Sequence, residues 1–164
     1  MAEANPIRET DGEARALARR LIAAARFAAL GVLDPATGAP VVTRIALGTT
    51  PEGVPLTLVS TLAAHTAALR ADPRCSLLLG EPGERGDPLT HPRVTLACRA
   101  EFVPRDGPLH AGLRGHYLAS HPKAQLYIDF ADFGFVRFGI EAAFLNGGFG
   151  KAFRLSPADL NAGS

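Results

Sequence analysis

Residues 56–80 (LTLVSTLAAHTAALRADPRCSLLLG) leave this chain few ways to fold. Leu56, Thr57, Leu58 and Val59 form an apolar run rich enough in branched residues for a buried strand. Ser60 and Thr61 end that strand and are placed to cap a helix whose apolar stripe is Leu62, Ala68 and Leu69. Asp72-Pro73 stops the helix, because proline disfavours the α conformation in the residue before it. A second apolar run, residues 75–79, follows at once. This order aims free backbone N–H groups beyond the end of the first strand. The hydroxyls of Ser60, Thr61 and Thr66 and the imidazole of His65 stand beside them. Such a corner suits a phosphate.

Around this stretch the pattern is mainly β. Thr10 and Glu13 fit a capping box, and Ala14, Leu17, Ala18, Leu21, Ile22 and Ala25 recur at helical spacing, which predicts an N-terminal helix over about 10–25. Strands are predicted over 27–33, 40–47, 93–103 and 133–144, with turn chemistry at 34–38 and 49–53. In the long strand, Val94, Leu96, Cys98 and Ala100 share one face. A second helix is predicted over 108–120, and Ser156-Pro157 starts a short terminal one. With 164 residues and no internal repeat, the chain reads as a single α+β domain, residues 1–164. Its body reads as a small antiparallel β-barrel of six or seven strands over about 27–145, followed by a Gly-rich loop and short helix over 146–164. Leu78 and Phe135 point away from Leu77, Leu79, Val136 and Phe138, so some outward apolar side chains need cover from a second copy.

Several functions are disfavoured by composition and spacing. A formal charge of +1 gives no electrostatic case for nucleic acid. No apolar run approaches the roughly 18 residues of a membrane span, and the charged N-terminus is not a secretory signal, so a cytoplasmic location is expected. Cys75 and Cys98 lack CxxC spacing and read as reduced core thiols. His110, His116 and His121 do not share one helix face, so no metal site is expected. No GxSxG surrounds a serine, and residues 146–151 lack the signature of a P-loop. What remains is Arg44, set among core-like Val42, Ile45 and Leu47, together with the corner at 60–66. The pair suits a phosphate-bearing ligand; the plain alternative is a sheet-surface arginine beside an ordinary helix start.

Four motifs resemble the FMN-binding split-barrel family related to pyridoxamine 5′-phosphate oxidase, and within it most of all the haem-utilisation branch of bacterial proteins. RIAL (residues 44–47) resembles the family's R-x-x-L strand. LVSTLAAHTAALRADPRCSLLL (58–79) resembles the branch's S-x-L-A-x-H-T-x-x-L-x-x-D-P-R-x-S-L-L. GDPLTHPRVTL (86–96) and NGGFG (146–150) resemble its G-D-P-L-x-x-P-R-x-T-L and terminal N-G-G-F-G. The resemblance implies a homodimer of six-stranded split barrels with FMN held at the subunit interface. The implied cofactor contacts are Arg44, Ile45, Ala46, Ser60, Thr61, His65 and Thr66 of one chain and Arg93 of the other. A lysine stands in the place of His65 in the oxidases, and a glutamine in that of Arg93. The implied function is that of a flavin-dependent oxidoreductase acting on a small molecule that the sequence does not identify, with no catalytic residue assigned. The alternatives are a haem-binding or haem-degrading protein and a non-catalytic flavin module. Nothing after Gly150 resembles the oxidases' R-L-H-D-R-like motif, so oxidation of the vitamin phosphate is not expected. No histidine follows His121, so the branch's C-terminal iron ligand has no counterpart.

Overall fold

The structure is a computed structural model and describes residues 5–161. In chain order it comprises β1 (Ile7–Arg8), α1 (Gly12–Ala24), β2 (Phe27–Leu33), β3 (Pro40–Ala46), β4 (Gly48–Thr49), β5 (Pro55–Ser60), α2 (Ala64–Ala71), β6 (Arg74–Leu79), β7 (Arg93–Phe102), α3 (His110–Ser120), β8 (Phe133–Asn146), β9 (Ala152–Leu155) and α4 (Pro157–Leu160). Short 3₁₀ turns occupy Pro88–Thr90 and Pro122–Leu126. The fold is α+β and largely sheet. The described residues hold nine strands rather than the six expected. β1 and β4 have 2 residues each and β9 has 4, too few to carry a readable alternation.

The hydrogen-bonded order is β1-β9-β8-β7-β6-β2-β3, with β5 also on β8 and β4 on β5. Every pair is antiparallel except β1 with β9. The ladder does not close, because β3 pairs with β2 and β5 with β4 and β8. Across this split the chain itself makes the connection, β3 passing through Leu47 into β4. Leu47 N donates to Arg26 O at 2.9 Å, and Thr57 Oγ1 donates to Ala46 O at 2.6 Å.

Alternation decides which side chains fill the barrel. Ala28, Leu30 and Val32 of β2 and Val94, Leu96, Cys98 and Ala100 of β7 point inward and are buried. α1 lays Ala14, Ala18 and Ile22 on this core. Its N-cap is Asp11, whose carboxylate accepts from Ala14 N at 2.8 Å, and not the expected Thr10. Thr10 instead donates its hydroxyl to Arg154 O at 2.7 Å. The cap expected at Ser156 is present as a full capping box with Asp159, whose carboxylate also pairs with Arg15 of α1 at 2.8 Å.

A second core gathers Leu56, Leu58 and Phe135 beneath Leu113 and Tyr117 of α3 and Ile128. The outward face of Phe135, for which a second copy was expected as cover, is therefore covered by α3 and the turn after it. Leu78 differs: it remains 46% exposed.

Candidate functional site

The outer faces of β2 and β3 form the floor of a cleft of about 690 Å³, walled by α1, the end of β6, residues 80–82 and the start of β7. Its shape follows from small side chains, since Ala24 and Ala25 after the helix and Ala29 on the strand leave the space open. Its body is apolar, with Phe27, Val42 and Leu78 along the wall, each at least 39% exposed. Three guanidinium groups line it: Arg26, Arg44 and Arg93.

Strand register sets Arg44. It lies opposite Ala29, and Val42 opposite Gly31, so both project to the outer face while Ile45, opposite Ala28, is buried. The Arg44 guanidinium stands 5.5 Å from the Phe27 ring centroid and makes no hydrogen bond or ion pair among the described residues. The other two arginines are partly engaged. Arg26 Nη1 donates to Ser120 O at 3.0 Å, and Arg93 Nη1 donates to Leu89 O at 2.9 Å. Arg93 enters the cleft because Gly80, at φ +99°, lets the start of β7 come close.

The corner at 60–66 is a separate place. Ser60 Oγ donates to Asp132 Oδ2 at 2.8 Å and accepts from Leu62 N at 3.1 Å. Thr61 N donates to Asp132 O at 2.8 Å, and Thr66 Oγ1 donates to Ser60 O at 2.6 Å. The N-cap of α2 is Ala63 and makes no side-chain cap bond, so the expected capping by Ser60 and Thr61 does not occur. Leu62 lies before the helix and is 87% exposed, leaving Ala68 and Leu69 as the buried stripe. Local hydrogen bonds thus use the hydroxyls of Ser60 and Thr66, and a carboxylate sits where an anion was expected.

His65 Nδ1 lies 3.3 Å from Thr43 Oγ1, and burial holds the ring below its ordinary pKa. Thr43 and Arg44 are successive strand residues, so His65 reaches β3 on the face opposite the Arg44 guanidinium. Ala46 is half-buried, and its carbonyl serves Thr57. Of the eight residues expected to hold a cofactor, one chain brings Arg44 and Arg93 to the same cleft. Thr61 and Thr66 instead line a neighbouring cavity of about 350 Å³ with Arg70 and Arg105. Arg70 stacks over Phe102 at 4.0 Å, and Arg105 donates to the carbonyls of Phe130 and Phe133.

The sequence reading missed Arg26, Phe27 and Leu78. The parity of β6 gave a signal for one of them: Leu78 points away from Leu77 and Leu79 and sits opposite Ala29. Among the described residues, no three His, Cys, Asp or Glu side chains are grouped to hold a metal ion. Burial pushes the Cys75 thiol up to about 12 and that of Cys98 higher still, so both stay protonated. No helix of the described residues is long and apolar enough to cross a membrane.

An open apolar cleft with three cationic groups suits a flat, anionic molecule. A family model described as CREG, beta-barrel matches residues 9–160. The chain belongs to the CREG β-barrel family. This CREG β-barrel chain is 40% identical over 107 residues to the chloroplastic non-canonical heme oxygenase HOZ of Arabidopsis thaliana, a match covering 59% of the chain and 31% of that protein. It therefore spans about a third of that relative's length. A heme binding protein from Mycobacterium smegmatis superposes with a TM-score of 0.82 at 28% identity, over 92% of this chain and 61% of that one. A general stress protein 26-related protein of the pyridoxinephosphate oxidase family, from Clostridium acetobutylicum, shares the fold at a TM-score of 0.66 and 13% identity, over 92% and 99% of the two chains. These likenesses agree with a split-barrel fold.

Proposed function

We propose that this chain binds haem in the cleft between α1, β2 and β3. The observation that carries the proposal is Arg44, a guanidinium without a hydrogen bond at the edge of an apolar wall made by Phe27, Val42 and Leu78. Haem is a flat apolar macrocycle with two propionates. Its body matches that wall, and its carboxylates match Arg44 and Arg93 or Arg26. The names of the Arabidopsis thaliana and Mycobacterium smegmatis relatives support the same ligand. Once bound, haem supplies a redox-active iron; the chain's own residues place the macrocycle and neutralise its carboxylates. A homodimer completes the proposal, since a second copy against this outer face would cover Phe27, Val42 and Leu78.

Hemin titration tests it. A sharp Soret band saturating at one haem per chain or per dimer is expected, and broad adsorption without saturation would overturn it. Arg44→Gln is expected to weaken binding by about 1.5–3 kcal/mol, the range for a hydrogen bond to a charged group.

FMN is the second reading, favoured by the same isolated guanidinium, which offers a phosphate a full set of donors. In that case the protein is a flavin-dependent oxidoreductase. Quenching of flavin fluorescence on titration with the protein, with reduction by a nicotinamide donor under anaerobic conditions, supports FMN; unquenched flavin removes it.

A further inference from the structure

We infer that the cleft recognises a tetrapyrrole by its carboxylates and flat apolar body, with no bond from this chain to the central iron. Metal-free porphyrin then binds about as well as haem. The inference rests on the haem-site proposal above and adds that the site does not depend on the metal.

The lining carries it. Protein ligands to haem iron are histidine, cysteine, methionine and tyrosine, and among the described residues none of these lines the cleft. The chain's histidines are placed or engaged elsewhere. His65 itself does not line the cleft; its Nδ1 lies 3.3 Å from Oγ1 of Thr43, which does. His91, in the loop leading to β7, accepts from Gly83 N at Nδ1 (3.1 Å), and its Nε2 lies 2.8 Å from Arg85 O, so both ring nitrogens are used. His121 is held the same way, with Nδ1 2.8 Å from Ser120 Oγ and Nε2 3.3 Å from Arg26 O, and its ring stacks on Tyr117 at 4.4 Å. His110 packs against Phe135, and His116 is exposed on α3, the helix that covers the second core.

The remaining ligand types are no nearer. Cys98 is buried in the barrel, and Cys75 donates toward Cys98 O at 3.7 Å. Tyr117 of α3 is buried in the second core, and Tyr127 packs on Phe133 with ring centroids 4.9 Å apart. Met1, the one methionine, lies outside the described residues. What the cleft does offer is three guanidinium groups against a single carboxylate, Glu81, and an apolar wall. Those features act on the periphery of a tetrapyrrole and on its plane, both of which a metal-free porphyrin shares.

The full chain is titrated with hemin, followed by absorbance, and with protoporphyrin IX, followed by the porphyrin's own fluorescence anisotropy; the chain has no tryptophan to interfere. Dissociation constants within about 3-fold of each other are expected, and Arg44→Gln should raise both by about 10-fold to 100-fold, as loss of a charged hydrogen bond predicts. Hemin binding with protoporphyrin IX more than about 100-fold weaker would show a ligand to the iron, the exposed His116 of a second copy being the first to replace. That result overturns the inference and leaves haem binding intact. If neither molecule saturates the protein, haem binding itself fails. If both bind and Arg44→Gln changes neither, the site lies elsewhere and the inference fails with it.

Discussion

Gly80 and Arg93 meet backbone against backbone: a Cβ on Gly80 would stand 2.8 Å from Arg93 Cα and 2.5 Å from Pro92 O. Both neighbours are main-chain atoms, so neither can swing aside. The positive φ of Gly80 adds conformational strain for any other residue. Gly80→Ala should cost about 1–3 kcal/mol in chemical denaturation. It should also weaken ligand binding, because relief of the clash moves the start of β7 and with it Arg93. Unchanged stability would mean that the 80–93 contact is looser than described.

Asp132 closes the corner at the start of α2, taking the hydroxyl of Ser60 and the amide of Thr61. Asp132→Ala should lower stability by about 1 kcal/mol, the usual worth of a hydrogen bond of this kind. Hemin affinity should stay the same, since Asp132 does not line the Arg44 cleft. A large rise in affinity on removing this carboxylate would place the ligand at the helix start instead.

His65 gives a pH dependence of known sign. Burial holds its folded pKa below the ordinary 6.5, so the unfolded chain binds the proton more readily. The stability contribution is complete above the unfolded value and is lost as pH falls through the folded one. Denaturation midpoints from about pH 7.5 to about pH 5.5 should therefore decline less in His65→Gln than in the parent protein. Parallel declines would show that His65 is as well solvated folded as unfolded.

Asp159 ties α4 to α1. The hydrogen bond from Arg15 and then that from the Ser156 backbone hold its carboxyl at about 2, below the ordinary 3.8. Its contribution is present above 3.8 and lost as pH falls through about 2, so it survives mild acid. Asp159→Ala should cost about 1 kcal/mol at neutral pH, as loss of a cap does, and should flatten the acid limb of the stability curve. Thermal melts at two pH values check both parts.

The sequence makes the strands and their faces legible because burial repeats with period two. Val94, Leu96, Cys98 and Ala100 lie inward as their alternation says, and β2 spans the expected 27–33. The caps are less legible. At the first helix Thr10 and Asp11 both suit the position, and only the distant carbonyl of Arg154, which takes the Thr10 hydroxyl, decides for Asp11. At the second, Ser60 is drawn to Asp132, a residue 72 positions away in sequence. The same limit applies to the site. Arg44 stands out in its strand, but its company comes from long-range register: Ala29 and Leu78 meet only when β3, β2 and β6 lie side by side. Arg26, just before β2, has no motif of its own to announce it.

The split in the barrel leaves β3 with a strand neighbour on one side only, so apart from the Ala46 carbonyl, which takes the Thr57 hydroxyl, its other edge has no strand to pair with. Val41 and Val42 beside that edge are 39% and 69% exposed. Such an edge is a template for runaway strand addition, and proteins guard it with charge and with proline. On β3 those guards are Arg44 and Pro40. The guanidinium proposed for a ligand's carboxylate thus stands where an edge strand is guarded by charge: an apolar residue at position 44 should weaken binding and at the same time favour fibrous aggregation.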